Sequence, residues 1–398
     1  MKIITRPVYR LLNMVIYIID CLYPRKKNLW VFQLGRDNLF NGNIRALWDH
    51  IKTENDIDFE ITCFKGNDKT VEKITGKKCI KTNSIKGLLL LFKARVLIIQ
   101  HARNDFFVFG ITDKRRVIIN LWHGIPIKGL RYTSTSSYNN QQKNFRKEET
   151  GYSAIICSSL VDKLAMSACF NLPYSKFFVT GLPRNDWMKM DIDQLPAEMR
   201  AEYDSVKSLA GDRKLVLYAP TFRNPVEKKY TSGVYSFSPD QIELLNNLLE
   251  ENNAVLGLRT HDYFIKYRDN LYNNKRIIDL GSDKFSNVQM VLRAADLLIT
   301  DYSSLWLDYL LAEKPVIGFT YDYDDYMKDR GLIYEYRDIF PGPLANNFEE
   351  LITAINEVCS NNFVLKSQLF DYSRKMFYKH TDCGSSKRVA NLIRQLTD

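Results

Sequence analysis

Short runs of apolar residues recur along the chain and alternate with stretches of helical periodicity. In the first half, residues 28–34 (NLWVFQL), 59–64, 95–100 (RVLIIQ), 116–121 (RVIINL) and 154–158 read as buried strands. Between them, 43–52 (NIRALWDHIK) and 159–168 place apolar residues at helical spacing. This alternation predicts βα units and a parallel sheet covered on both faces. A charged stretch without strand character, 189–212, interrupts the rhythm and puts a domain junction there. The pattern resumes with strands at 214–218 (KLVLY), 254–258, 276–280, 296–300 (DLLIT) and 315–319 (PVIGF), separated by helices at about 239–251, 286–295 and 303–313. The expected fold is α/β, with two doubly wound Rossmann-like domains, 28–195 and 196–398, facing a central cleft, and a last helix placed to pack back on the first domain. No G-x-G-x-x-G follows any strand, so a dinucleotide cofactor is not indicated.

Residues 1–27 form a separate N-terminal segment. Its apolar stretch, 8–23, is too short and too interrupted by Arg10, Asn13 and Asp20 to span a bilayer, and no small-residue cleavage site follows it. Basic residues flank it, Lys2, Arg6 and Arg10 on one side and Arg25, Lys26 and Lys27 on the other. Such flanks suit an interfacial anchor on an anionic cytoplasmic leaflet. An ordinary amphipathic helix packed on the first domain fits the pattern equally.

At 398 residues the chain holds two domains of ordinary size, and 45% hydrophobic with 26% charged residues excludes a disordered or fibrous protein. Lys plus Arg exceeds Asp plus Glu, 56 to 46, for a net charge of +10. That excess points to an anionic partner: nucleic acid, an acidic membrane or a phosphorylated substrate. A nucleic-acid module would gather its cations in a stripe interleaved with aromatics, and here they are dispersed, so nucleic acid is not expected. The seven cysteines are scattered without a C-x-x-C pair and read as reduced thiols of a cytosolic protein. No Cys/His cluster has ligand spacing, so no metal site is expected.

Candidate chemistry lies at strand ends, where open α/β sheets bind ligands. His123, in NLWHGIPIKGL (120–130), follows the strand RVIINL. It can take a proton from an attacking hydroxyl near neutral pH, while Lys128 offers a cation to a phosphate oxygen. A His-Gly pair taken alone reads as readily as a hydrogen-bonded turn. In the second half, TDYSSLWLD (300–308) sets Asp301, Ser303 and Ser304 between a strand and a helix, where hydroxyls and free N–H groups suit a diphosphate. Plain serine capping gives the same pattern. His261, in LRTHDY (258–263) beside Arg259, would face His123 across the cleft, and the pair suits proton transfer with stabilisation of phosphate charge. LYAPTFR (217–223) brings Thr221 and Arg223 to the same edge, and GLPRND (181–186) brings Arg184 and Asn185 from the first domain. Pro341 to Pro343 (PGP) forces an irregular loop that either approaches a ligand or connects elements.

The segments WHGIPIK (122–128), GLPRND (181–186), YAPTFR (218–223), the His261 stretch, DYSSLWLDY (301–309) and DCGSSKR (382–388), in this order, resemble the CDP-glycerol:glycerophosphotransferase family. These bacterial enzymes build teichoic acids and related phosphodiester polymers. The resemblance runs from about Asn28 to Arg388. It implies a glycosyltransferase-B-like fold and transfer of glycerol phosphate or ribitol phosphate from a CDP-alditol, with release of CMP. The acceptor would be a hydroxyl of a lipid-linked saccharide or polyol-phosphate chain, at the cytoplasmic face of the cell membrane, in the synthesis of teichoic acid, capsule or a related surface polymer. By the same resemblance His123 and His261 are the catalytic histidines, and Ser303 and Ser304 meet the donor diphosphate. Arg388 joins the cleft residues through the last motif. No cofactor is expected beyond the CDP-alditol donor, with a divalent cation compatible. The chain departs from the family pattern at Thr260 and His261-Asp262, where a proline and a His-Pro are usual, and at Cys383, where glycine is usual. These departures bear on the donor pocket more than on the reaction. The alternative on the same fold is a glycosyltransferase using a nucleotide sugar.

Overall fold

The computed structural model describes residues 6–35, 38–54, 56–66, 68–101, 111, 115–134, 151–221, 235–259, 275–364 and 368–398. The first half builds a seven-stranded sheet from β1 (Lys26–Gln33), β2 (Asp58–Cys63), β3 (Ile80–Lys81), β4 (Ala94–Ile99), β5 (Val117–Asn120), β6 (Ala154–Cys157) and β7 (Phe177–Val179). Its order is β3-β2-β1-β4-β5-β6-β7. The second half builds a six-stranded sheet from β8 (Lys214–Tyr218), β9 (Ala254–Leu258), β10 (Ile277–Asp279), β11 (Leu297–Thr300), β12 (Val316–Phe319) and β13 (Leu344–Ala345), in the order β10-β9-β8-β11-β12-β13. Neighbouring strands are parallel throughout. A parallel sheet is covered by helices on both faces, which is why β5, β6, β9 and β11 are buried at every residue and read as unbroken apolar runs.

Both sheets reverse their order once, between β1 and β4 and between β8 and β11. The chain leaves these strands at their carboxyl ends, so the reversals open crevices there. Thr221 follows β8 and Asp301 to Ser304 follow β11, flanking one crevice; His123 follows β5, next to β4.

Several expectations are refined. The stretch 189–212 contains the helix Ala197–Ala210. The helix expected at 303–313 is the short Leu305–Tyr309, continued by a 3-10 turn over Leu310–Ala312. The edge strands β3 and β13 are two residues long, below the length at which periodicity shows. Not all cysteines are separate thiols: Cys63 and Cys79 are paired in a disulfide. The reason is topological, since β2 and β3 are parallel neighbours and Cys63 ends one while Cys79 precedes the other. The PGP loop approaches the protein's own backbone, because a Cβ on Gly342 would fall on the Val316 carbonyl.

The helix Ser385–Thr397 lies against the helix Gly42–Ile51 and against β4 and β5. Its start is fixed by the buried Asp186 carboxylate, which accepts from the N–H groups of Ser385 and Ser386, each at 2.8 Å. At the opposite, amino edge of the first sheet, Asp20 of the helix Arg6–Leu22 is fully buried. It accepts from Arg25 at 2.9 Å and from Arg116 at 2.5 Å. Two guanidiniums therefore converge on one carboxylate. Asp20→Ala is expected to cost about 3–5 kcal/mol, as removal of one partner from a buried pair does, read by thermal or urea unfolding. A loss below about 1 kcal/mol, typical of an exposed pair, would contradict this account.

Candidate active site

The turn after β5 is built to project one imidazole. Trp122 takes a left-handed backbone conformation, φ 49°, uncommon for a bulky residue and characteristic of functional sites. Hydrogen bonds hold it there: Asn120 Oδ1 accepts from the Trp122 N–H at 2.8 Å, and Asn43 Nδ2 donates to the carbonyls of Leu121 and Trp122 at 3.0 and 2.9 Å. Asn43 is fully buried in the helix Gly42–Ile51. His123 follows, its ring tilted 33° against the Trp122 ring at 4.2 Å between centroids. Gly124, at φ 151°, then lets the chain run so close to its neighbours in both halves that a Cβ there would sit 3.1 Å from Arg184 Nη2 and 3.5 Å from Ser304 Oγ.

Arg184 joins the two halves. Its N–H donates to Asn43 Oδ1 at 3.0 Å, its Nη1 to the His123 carbonyl at 2.6 Å, and its Nη2 pairs with Asp308 at 2.6 Å. Asp308 lies in the short helix that Ser304 begins, so the ion pair carries His123 to the serine pair. A second seam forms beside it. Gly129 N–H donates to the Gly331 carbonyl at 3.1 Å, and Ile333 N–H to the Ile127 carbonyl at 2.8 Å. Lys128 Nζ reaches Thr221 Oγ1 at 3.4 Å, and the Thr221 N–H is taken by Asp301 Oδ1 at 2.7 Å. Between these seams lies a cavity of about 220 Å³. The run Trp122–Leu130 forms one wall, and Ser303, Ser304 and Arg330 the other.

Residues 15–395 match the family described as CDP-Glycerol:Poly(glycerophosphate) glycerophosphotransferase. The chain belongs to this family. Among its relatives are the teichoic acid poly(glycerol phosphate) polymerase of Bacillus spizizenii W23, 26% identical with 95% of each chain covered, and the teichoic acid ribitol-phosphate primase of the same strain, 24% identical over 98% of this chain and 97% of the other. Among solved structures, the wall teichoic acid polymerase TagF has the same fold, with a TM-score of 0.75 at 19% identity, covering 97% of this chain and 92% of that one.

In this glycerophosphotransferase, His123, Lys128, Ser303 and Ser304 line one cavity, with Thr221 and Asp301 beside Lys128. Other expected site residues are engaged elsewhere. Asn185 is buried and donates to Tyr378 Oη at 3.4 Å. Arg388 donates to the Thr180 carbonyl and pairs with Asp382 at 2.7 Å, fastening the last helix. Arg259 gives one nitrogen to the carbonyls of Leu280 and Phe285, at 2.8 and 2.9 Å, and burial lowers its pKa to about 10. His261 and Arg223 lie outside the described residues. Among the described residues, no group of three or more His, Cys, Asp or Glu side chains could hold a metal ion.

Three site residues escaped the sequence reading. Asp308 stands inside the TDYSSLWLD motif, but its role carries no local signal, because its partner is distant in the chain. Arg330 sits past the helix Tyr323–Asp329 without a motif. His101 follows the strand RVLIIQ as directly as His123 follows RVIINL, and the same strand-end rule would have found it. Its Nδ1 stands 3.2 Å from His123 Nδ1.

The His123 ring is open to the cleft yet surrounded by protein mass. That desolvation, reinforced by His101 and Arg184, holds its pKa far below the usual histidine range, at about 3, against an opposing backbone contact with Gln100. The imidazole is therefore neutral, with a lone pair on one ring nitrogen. Gly124→Ala would press a methyl group against Arg184 and Ser304. We expect turnover of the folded variant to fall about tenfold or more, since a misplacement of an ångström is costly at a reacting centre. Unchanged turnover in Gly124→Ala would show that the close approach is not required.

Proposed function

We propose that this enzyme transfers glycerol phosphate or ribitol phosphate from a CDP-alditol to a hydroxyl of a lipid-linked or polymeric acceptor in teichoic acid synthesis, releasing CMP. The observation that carries the assignment of roles is the cavity with His123 on one wall and Ser303 and Ser304 on the other. The donor diphosphate would lie against the serine hydroxyls, Lys128 and Arg330, whose cations and donors match the charge of phosphate oxygens. The acceptor hydroxyl attacks the β-phosphorus, His123 removes its proton, and CMP departs. No covalent intermediate is needed, and orientation in the cavity supplies much of the rate. A diphosphate beside His123 would raise its depressed pKa toward the working range, because a neighbouring anion favours imidazolium. Donor binding thereby strengthens the base it requires.

The sign of the pH dependence follows. Turnover is retained above the His123 pKa of the donor complex and lost as pH falls through it. His123→Ala should lose about 10²–10⁴-fold in turnover, the usual worth of general base catalysis, while binding CDP-glycerol or CDP-ribitol as wild type does in calorimetry. A His123→Ala variant that transfers at the wild-type rate would remove the role assigned to this residue. Transfer from UDP-sugars with none from either CDP-alditol would favour the glycosyltransferase alternative instead.

The N-terminal helix supports a membrane location. Over residues 11–22 it buries Ile16 and Asp20 against the first domain and turns Leu11, Met14, Val15, Ile18, Ile19 and Leu22 outward, the last 75% exposed. A helix that hides a carboxylate and shows its aliphatic residues suits the acyl boundary of a bilayer. No described helix is long and apolar enough to cross a membrane. Beside the helix's last turn, Arg25, Lys27, Arg95 and Arg115 line a cavity of about 320 Å³ at the amino ends of β1, β4 and β5. Three of these cations also donate to backbone carbonyls, Arg115 to that of Cys21. This cationic margin suits an anionic leaflet. Replacing Ile18 and Leu22 by glutamate should abolish flotation with phosphatidylglycerol vesicles while leaving turnover of a water-soluble acceptor intact. Flotation equal to wild type would contradict the membrane reading.

A further inference from the structure

We propose that His101 is a positioning residue for His123: it accepts the His123 Nδ1 proton, fixes the tautomer with a bare Nε2, and stabilises the imidazolium formed when that nitrogen takes the acceptor proton. This rests on the reading of His123 as the base. The observation is the approach of the two Nδ1 atoms to 3.2 Å, with ring centroids 5.0 Å apart. Two imidazole nitrogens at that distance share a single proton, so one ring donates and the other accepts. If His101 donated, His123 would carry its own proton on Nε2, and its one remaining nitrogen would have no lone pair for the acceptor hydroxyl. If His123 donates, its Nδ1–H is satisfied and Nε2 is free. Only the second arrangement yields a base, the same logic by which a third group orients the histidine of a nucleophile-base pair.

The placement of His101 fits that task. It leaves β4 two residues after Ile99, which pairs with Asn120 at the end of β5, so both histidines stand on the same sheet edge. Asn120 ties them: its Nδ2 donates to the His101 carbonyl at 2.9 Å and its Oδ1 accepts from the Trp122 N–H at 2.8 Å. The charged side chains around His123 from the other elements are Arg184, Arg131, Lys128 and Arg330, with Asp308 occupied by Arg184. Arginine and lysine donate and cannot accept. Among the titratable and charged side chains of the described residues around the ring, His101 is therefore the one equipped to receive its Nδ1–H, with the Gln100 backbone as a second acceptor. The proton balance closes. The acceptor hydroxyl proton moves to His123 Nε2, Nδ1–H stays between the rings, and His101 keeps its own Nε2–H. A proton placed on His101 Nδ1 would reverse the shared hydrogen bond and silence the base.

Nitrogen-15 NMR of histidine-labelled wild-type enzyme tests the tautomer directly. We expect His123 protonated at Nδ1 and bare at Nε2; protonation at Nε2 overturns the proposal whatever any variant does. In turnover, His101→Ala should lower kcat about 10- to 100-fold, the usual effect of losing a group that orients a functional histidine, with the KM for the CDP-alditol little changed. The acid limb of the pH profile should shift with it, and His101→Asn, whose side-chain oxygen accepts Nδ1–H, should recover part of kcat. A His101→Ala enzyme within about twofold of wild type in kcat, with an unmoved pH profile, would overturn the proposal if His123→Ala is inactive. If His123→Ala itself turns over normally, the base assignment fails and this inference falls with it. Loss in His101→Ala without recovery in His101→Asn and without a moved pH profile would mark a purely structural role and also overturn it.

Discussion

The site depends on a buried ion pair between halves of the chain that fold around separate sheets. Arg184 and Asp308 meet at 2.6 Å with side chains 11% and 1% exposed. Burial raises the Asp308 pKa, and the Arg184 charge opposes that shift. A pair in this position is weak evidence for stability, because desolvating two charges consumes most of their attraction. Its value here is geometric. The same guanidinium holds the His123 carbonyl, the same residue's N–H rests on Asn43, and Asp308 sits one helical turn from Ser304. One side chain therefore sets the distance between the proposed base and the proposed diphosphate cradle.

The parallel sheets supply the framework that this clasp locks. Every strand of a parallel sheet points the same way, so its loops gather on one edge, and two such sheets set edge to edge enclose a cleft. The first sheet contributes the histidine turn and the second contributes Thr221, Asp301 and the serines at its reversal point. The opposite, amino edge of the first sheet carries the outward aliphatic helix and its cationic margin. Chemistry and proposed membrane attachment thus occupy opposite ends of one sheet.

Much of this was legible in the sequence because burial on both faces imposes unbroken apolar runs. Such runs located ten strands to within a residue or two, and their ends pointed to His123, Thr221, Asp301 and the serine pair. What stayed hidden has physical causes. Arg184 stood in a recognisable motif, but its partner Asp308 could be known only from the packing of distant segments. Asn185, Arg259 and Arg388 looked like cleft residues, and the fold adds that they hold buried or backbone groups in place. Strand ends present charged residues for both purposes, and residue type does not separate a brace from a ligand. The pairing of Cys63 with Cys79 likewise depends on β2 and β3 lying side by side, and β3 is too short to announce itself.

The most direct measurement of the central claim is a crystal structure of the enzyme with CDP-glycerol bound. The account predicts the diphosphate between Ser303, Ser304, Lys128 and Arg330, with the β-phosphorus facing the Nε2 side of His123 and the Arg184–Asp308 pair intact. A donor bound outside this cavity, or one whose β-phosphorus is turned away from His123, would contradict it.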